Sequence, residues 1–101
     1  MVVAERVVGE ERLEKYFGMT AEALEKAGAA IDASSPDRER EARELLGMAR
    51  RYYEDAGFFR ERGDLVTAFA ALNYAHGWLD AGARLGLFKV RDSRLFTVDD
   101  A

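Results

Sequence analysis

Three apolar series with a heptad rhythm constrain this chain more than anything else in it. Leu13, Phe17, Thr20, Leu24, Ala27 and Ile31 are spaced 4, 3, 4, 3 and 4. Ala42, Leu45, Ala49, Tyr52, Ala56 and Phe59 form a second series, and Leu65, Ala68, Leu72, Ala75, Leu79 and Gly82 a third. Residues three and four apart share one face of an α-helix, so each series is a seam. A helix with one apolar seam has to bury it. Three seams of similar length bury one another, which predicts an all-α, up-and-down three-helix bundle.

The boundaries carry their own chemistry. Ser35-Pro36 reads as an N-cap followed by the first helical residue, where the missing N–H of proline costs nothing. Gly63 suits the left-handed position just past a helix, and Asp64 then caps the next one. So short a step forces the second and third helices to run antiparallel. Gly86 closes the third helix after Leu85. The helices are expected at about 8–33, 36–62 and 65–85, within one domain spanning 1–101. Over 87–101 the pattern changes. Phe88-Lys89-Val90 and Leu95-Phe96-Thr97-Val98 read as short extended runs about a polar turn. This tail is either a hairpin or extended segment packed on the bundle, or an edge offered to a second chain.

The bulk numbers fit one globular domain. At 101 residues there is material for a single core. Charged residues make up 34% and hydrophobic residues 49%, a folded rather than a disordered balance. With no cysteine, disulfides and thiol-based sites are excluded. No run approaches the roughly 18 apolar residues of a membrane span. The first residues meet charge at Glu5 and Arg6, so no signal peptide is expected and the cytoplasm is the expected location. The net charge of −4 arises in residues 1–49, with 11 acids against 7 bases. That leaves no global basic footprint for nucleic acid. Arg50, Arg51, Arg60 and Arg62 are the local exception, but Glu54, Asp55 and Glu61 lie among them and favour a solvated helix face.

At RYYEDAGFF (Arg51 to Phe59), GDLVTAFAALNYAHGWLDAG (Gly63 to Gly82) and RLGLF (Arg84 to Phe88), the chain resembles a group of small archaeal proteins classified only as domain of unknown function 357. The match is ordered and gap-free, and with a looser first helix it covers roughly residues 13–98. The resemblance implies a closed three-helix bundle in a cytosolic archaeal protein. It implies no activity, and no catalytic residue is carried over.

Polar residues on the third helix are the first candidates for a site. Asn73, His76, Asp80 and Arg84 are spaced 3, 4 and 4 and form one stripe. In a functional reading His76 is a base or ligand oriented by Asp80, with Asn73 and Arg84 as binders. In a structural reading the stripe is a surface face with His–Asp and Asp–Arg neighbours. Tyr52, Tyr53, Asp55 and Tyr74 are a second group. In an antiparallel pair Asp55 and Tyr74 fall at a similar height, so a Tyr hydroxyl is expected to donate to Asp55 in a polar clamp inside the bundle, with a ligand pocket as the alternative. Glu11/Glu14, Glu22/Glu25 and Glu41/Glu44 are acid pairs at i,i+3, a spacing that holds Mg²⁺ in some helical enzymes, yet Lys and Arg interleave them as on a solvent face.

Ser34, Ser35 and Ser93 fall in loops, and Gly-rich phosphate loops are absent from the sequence. No reaction centre is recognisable, so the expectation leans away from an enzyme, with no cofactor and no metal. The favoured reading is a non-enzymatic protein-interaction or self-assembly module, partnered by its own copies or by another protein. The alternatives are a ligand-binding protein or enzyme using Asn73, His76, Asp80 and Arg84, and a nucleic-acid binder using the helix-two arginines. A functional face, if the chain has one, is expected among Asp55, Asn73, Tyr74, His76, Asp80 and Arg84.

Overall fold

The computed structural model describes residues 9–98. Three helices follow one another: α1 (Glu10–Gly28), α2 (Pro36–Glu61) and α3 (Leu65–Arg84). Arg60 near the end of α2 pairs with Glu10 and Glu14 at the start of α1, so these two helices run antiparallel. The α2–α3 turn reverses the chain again, giving the up-and-down order. α2 packs more extensively on α3 than α1 packs on either. Alanines make that closeness possible, because Ala42, Ala49, Ala56, Ala68 and Ala75 are all fully buried.

The capping chemistry falls where the sequence places it. The Ser35 hydroxyl accepts from the Arg38 N–H at 3.1 Å, and the Asp64 carboxylate accepts from the Thr67 N–H at 3.1 Å. Gly63 and Gly86 have φ of +81° and +74°, the left-handed region that costs a side-chain-bearing residue most. At each, two backbone N–H groups fold back onto the last carbonyls. Gly63 bonds Arg60 and Asp64 bonds Phe59, while Gly86 bonds Ala83 and Leu87 bonds Gly82.

The core forms two connected layers. One end holds Leu13, Phe17, Ala56, Ala68 and Leu72. The other holds Ala23, Leu24, Ala27, Leu46, Ala49 and Leu79, joined by Phe88, Leu95 and Phe96 from the tail. Every member of the first series inside α1 is buried, as is every member of the third except Leu65. In α2 the seam rotates slightly: Leu46 is buried, whereas Leu45, Tyr52 and Phe59 are half-buried.

Two expectations need correction. The first helix ends at Gly28 rather than near residue 33. Ile31 still reaches the core margin, but from extended backbone, bridging antiparallel to Phe88. Asp32 supplies the reason. Its carboxylate accepts from the Ser34 N–H at 2.9 Å and from Arg38 Nε at 3.0 Å, a local turn that competes with further helix. The tail, in turn, forms no hairpin with itself among the described residues. Its one bridge is to Ile31, fixed by Asp32 N–H to the Leu87 carbonyl (2.8 Å) and Lys89 N–H to the Ala30 carbonyl (2.7 Å). Beyond it, the Asp92 carbonyl accepts from Leu95 and Phe96 N–H, winding a tight turn that drops both side chains into the core. The tail therefore packs on its own bundle. The start expected near residue 8 and the tail beyond Val98 lie outside the described residues.

Candidate functional site

The predicted polar stripe is real, but its residues do not pair with one another. Among the described residues His76 and Asp80 make no mutual hydrogen bond, and Arg84 makes no ion pair. Each of the first two reaches the tail instead. His76 Nε2–H donates to the Leu95 carbonyl, and Asp80 Oδ1 accepts from the Thr97 N–H at 2.9 Å. A carbonyl can only accept, so the proton on Nε2 is dictated and Nδ1 of the neutral ring keeps its lone pair. The i,i+4 spacing that suggested a His–Asp couple thus serves two backbone groups of a strap, the Leu95 carbonyl and the Thr97 N–H.

Two clefts flank this strap. One, lined by His76, Asp80 and Arg84 on the helix and by residues 93–98 on the tail, is open. The other lies between α1 and α3, with Tyr16, Met19 and Thr20 facing Leu72, Asn73, His76, Gly77 and Asp80. Asn73, His76 and Asp80 therefore converge on one concavity, while Arg84 lines only the first.

Asp55 and Tyr74 belong elsewhere. The expected hydroxyl–carboxylate clamp does not form, and among the described residues Asp55 is exposed without a polar partner. Tyr74 lies on the α2 side of α3, with its ring 4.5 Å from Tyr52 and 6.4 Å from Trp78. These rings, not a polar clamp, fill the space between α2 and α3. Tyr74 remains 57% exposed, and with Ala70, Asn73, Gly77 and Trp78 it lines an open groove on the outer face of α3. The indole Nε1–H of Trp78 is buried without an acceptor among the described residues.

Several charged groups that hold the molecule together have no signature in the local pattern. Lys26 Nζ lies 2.9 Å from Asp92 Oδ2, and Arg94 embraces Glu22 with bonds of 3.2 and 2.6 Å. These partners are 66 and 72 residues apart, beyond any periodicity. The Lys26 ammonium holds the Asp92 carboxyl below its usual range, and the Arg94 guanidinium does the same for Glu22. Asp32 is held well below that range by hydrogen bonds from Ser34 first and Arg38 second. Arg38 also donates to the Leu85 carbonyl at 2.9 Å, and Lys89 lies 3.6 Å from Asp32. One buried carboxylate thereby joins the α1–α2 loop, the start of α2 and the end of α3.

The remaining candidates are engaged or scattered. Glu14 is paired with Arg60, and Glu22 with Lys26 and Arg94. Among the described residues no three metal-ligating side chains gather. Three of the four helix-two arginines turn to different partners. Arg60 lies over the Phe17 ring and Arg62 over Phe58, about 4.9 Å from each centroid, while Arg51 bonds the Met48 sulfur. No described helix is long and apolar enough to cross a membrane.

No curated protein and no solved structure matches the chain. A family model described as "Protein of unknown function (DUF357)" matches residues 15–88, which takes in all of α2 and α3, the Gly63 and Gly86 turns and the bridge residue Phe88. With three-quarters of its length under that model, the chain belongs to the DUF357 family of unknown function.

Proposed function

We propose that this protein is a non-enzymatic interaction module that pairs with a second copy of itself through the outer face of α3. The observation carrying the reading is the lack of charge on that face from Val66 to Ala81, before Arg84 in the last turn. Val66, Ala70, Asn73, Tyr74, Gly77 and Ala81 are all exposed, and none is ionisable near neutral pH. A solvated helix face in a chain that is 34% charged normally carries Lys, Arg, Asp and Glu. Val66 at 67% exposure and Tyr74 at 57% are large apolar groups left to water.

The choice of a second copy rests on self-complementarity. In a two-fold contact a patch meets itself, so a patch of one sign repels its copy and an uncharged one does not. An antiparallel α3–α3 contact also sets opposite helix dipoles side by side. Ala70, Gly77 and Ala81 keep side chains short along its centre, so the axes can approach at the lower end of the about 8–10 Å range. A cytoplasmic setting belongs to the same proposal, and fractionation of the chain with membranes would count against it.

Sedimentation velocity over a wide concentration range tests the pairing. A Cβ at Gly77 meets nothing within 4 Å, so Gly77→Arg leaves the fold intact and plants a charge at the centre of the face. The wild type is expected to sediment as a dimer at high concentration and Gly77→Arg as a monomer. A wild type that stays monomeric near ~1 mM, or a dimer indifferent to the substitution, rejects the reading.

A further inference from the structure

The geometry points to the α1–α3 cleft beside the tail as a binding site for a small organic ammonium ion. This site opens on the α1 flank of α3 and shares Asn73 and Gly77 with the face proposed to pair, so its titration is made at a concentration where the chain is monomeric. Its volume is about 270 Å³, roughly nine times the space a water molecule takes in the liquid. That admits a head group with a short chain and little more.

The lining sets the charge and polarity of the occupant. Asp80 is the one carboxylic side chain among the lining residues, and no Lys or Arg lies among them. Lys26 on α1 and Arg94 on the strap are committed to Glu22 and Asp92, and Arg84 lines the neighbouring cleft rather than this one. The acceptors are prepared by the tail. The Thr97 N–H takes Asp80 Oδ1, leaving Oδ2 without a partner among the described residues. The Leu95 carbonyl takes the proton-bearing Nε2 of His76, leaving Nδ1 as an acceptor. Asn73 adds an amide with no partner among the described residues, while Met19, Leu72 and Gly77 give apolar surface and Tyr16 and Thr20 complete the lining. A carboxylate oxygen, an imidazole lone pair and an amide oxygen above an apolar wall match three ammonium N–H donors on a short alkyl chain. An anion meets a carboxylate there and gains no donor with a charge.

Both acceptor groups are fixed by the same strap that carries Leu95 and Phe96 into the core, so their orientation is set before any ligand arrives. The test is titration of the full chain with n-butylammonium, followed by backbone amide resonances, with 1-butanol as the uncharged control. Saturable shifts centred on Asn73, His76, Gly77 and Asp80, with Kd in the range of about 1–10 mM, are expected for a ligand of this size. Asp80→Asn keeps an oxygen for the Thr97 N–H and removes the charge, and is expected to weaken binding at least about ten-fold. Unchanged side-chain resonances of Leu95 and Phe96, both buried in the core, verify that the strap stays docked. Asn73→Lys, at an exposed position, supplies a competing ammonium and is expected to abolish binding. Shifts that never saturate, an equal response to 1-butanol, or undiminished binding by either variant overturns the proposal.

Discussion

Gly82→Ala is the most exacting single test of how this bundle is built. Inside a helix, alanine ordinarily gains about 0.5–1 kcal/mol over glycine. At Gly82, however, a Cβ would lie 2.2 Å from Phe88 Cε2 and 2.5 Å from Cδ2. The ring cannot swing away into solvent, because Phe88 is 1% exposed and packed within the core. Nor can the backbone yield freely, since the Gly82 carbonyl accepts from both Leu87 and Phe88 N–H, at 2.9 and 3.3 Å. Overpacking of a filled core costs about 1–3 kcal/mol, and the buried position of the ring puts this case at the upper end. After the propensity gain the net loss is about 1–2 kcal/mol, or roughly 4–16 °C in Tm for a chain of this size. Thermal and urea denaturation measure it, with Gly77→Ala as the control. Nothing lies within 4 Å of a Cβ at Gly77, so that variant is expected to gain stability by about 0.5–1 kcal/mol. The steric origin is checked in a Phe88→Leu background. If the ring is the obstacle, Gly82→Ala loses most of its penalty there, a coupling of about 1 kcal/mol or more. An unchanged penalty in that background, or a Gly82→Ala protein as stable as Gly77→Ala, refutes the reasoning.

The other expectations concern the turn, the strap and the acid limb. Gly63→Ala places a Cβ at φ +81° and is expected to cost about 1–2 kcal/mol, read from the urea midpoint with m unchanged; a neutral effect sinks the account of the α2–α3 turn. Leu95→Ala removes a side chain that is 1% exposed and is expected to cost about 2–5 kcal/mol, with His76 and Thr97 resonances shifting as the strap loosens; a change below about 0.5 kcal/mol would mean the tail is not part of the cooperative core. Glu22, Asp32, Asp64 and Asp92 all have folded-state pKa values below their ordinary ones. The unfolded chain therefore binds more protons than the folded one in acid. The stability these groups contribute is present above the ordinary carboxylate pKa of about 4 and is lost as pH falls through their lowered values. Thermal midpoints are expected to fall steeply below about pH 4, and Asp32→Asn, already destabilised at neutral pH, is expected to show a shallower acid limb than the wild type. Parallel acid limbs for the two proteins contradict the assignment.

What was legible in the sequence was what local chemistry decides. The seams, both glycine turns and the Ser35 and Asp64 caps depend on residues within one or two turns of each other, and they stand where the pattern puts them. The errors share one cause. Ile31 continues the heptad rhythm beyond Gly28, but it reaches the core through a bridge to Phe88, a partner 57 positions on. Asp32 falls inside the helix expected to run to about residue 33, and only its partners Arg38, Lys89 and the Leu87 carbonyl show that the helix has ended before it. The tail alternates like a strand, yet its two runs find better partners in the bundle than in each other. Leu95 and Phe96 bury fully, which an isolated two-stranded ribbon offers neither of them.

The polar stripe on α3 follows from the same logic. A three-helix bundle with a strap has to satisfy the backbone of a segment in neither helix nor sheet, and side chains on the nearest helix must supply the missing partners. His76 and Asp80 do so for the Leu95 carbonyl and the Thr97 N–H, so a structural duty accounts for their spacing without any reaction. That duty uses one polar atom of each and leaves one over. Asn73 and Arg84 have no duty of this kind among the described residues, and Tyr74 packs by its ring alone. The case for the ammonium site therefore rests on the unused half of His76 and Asp80. For that reason Asp80→Asn, which preserves the structural half and removes only the other, separates the two roles where an alanine at the same position confounds them.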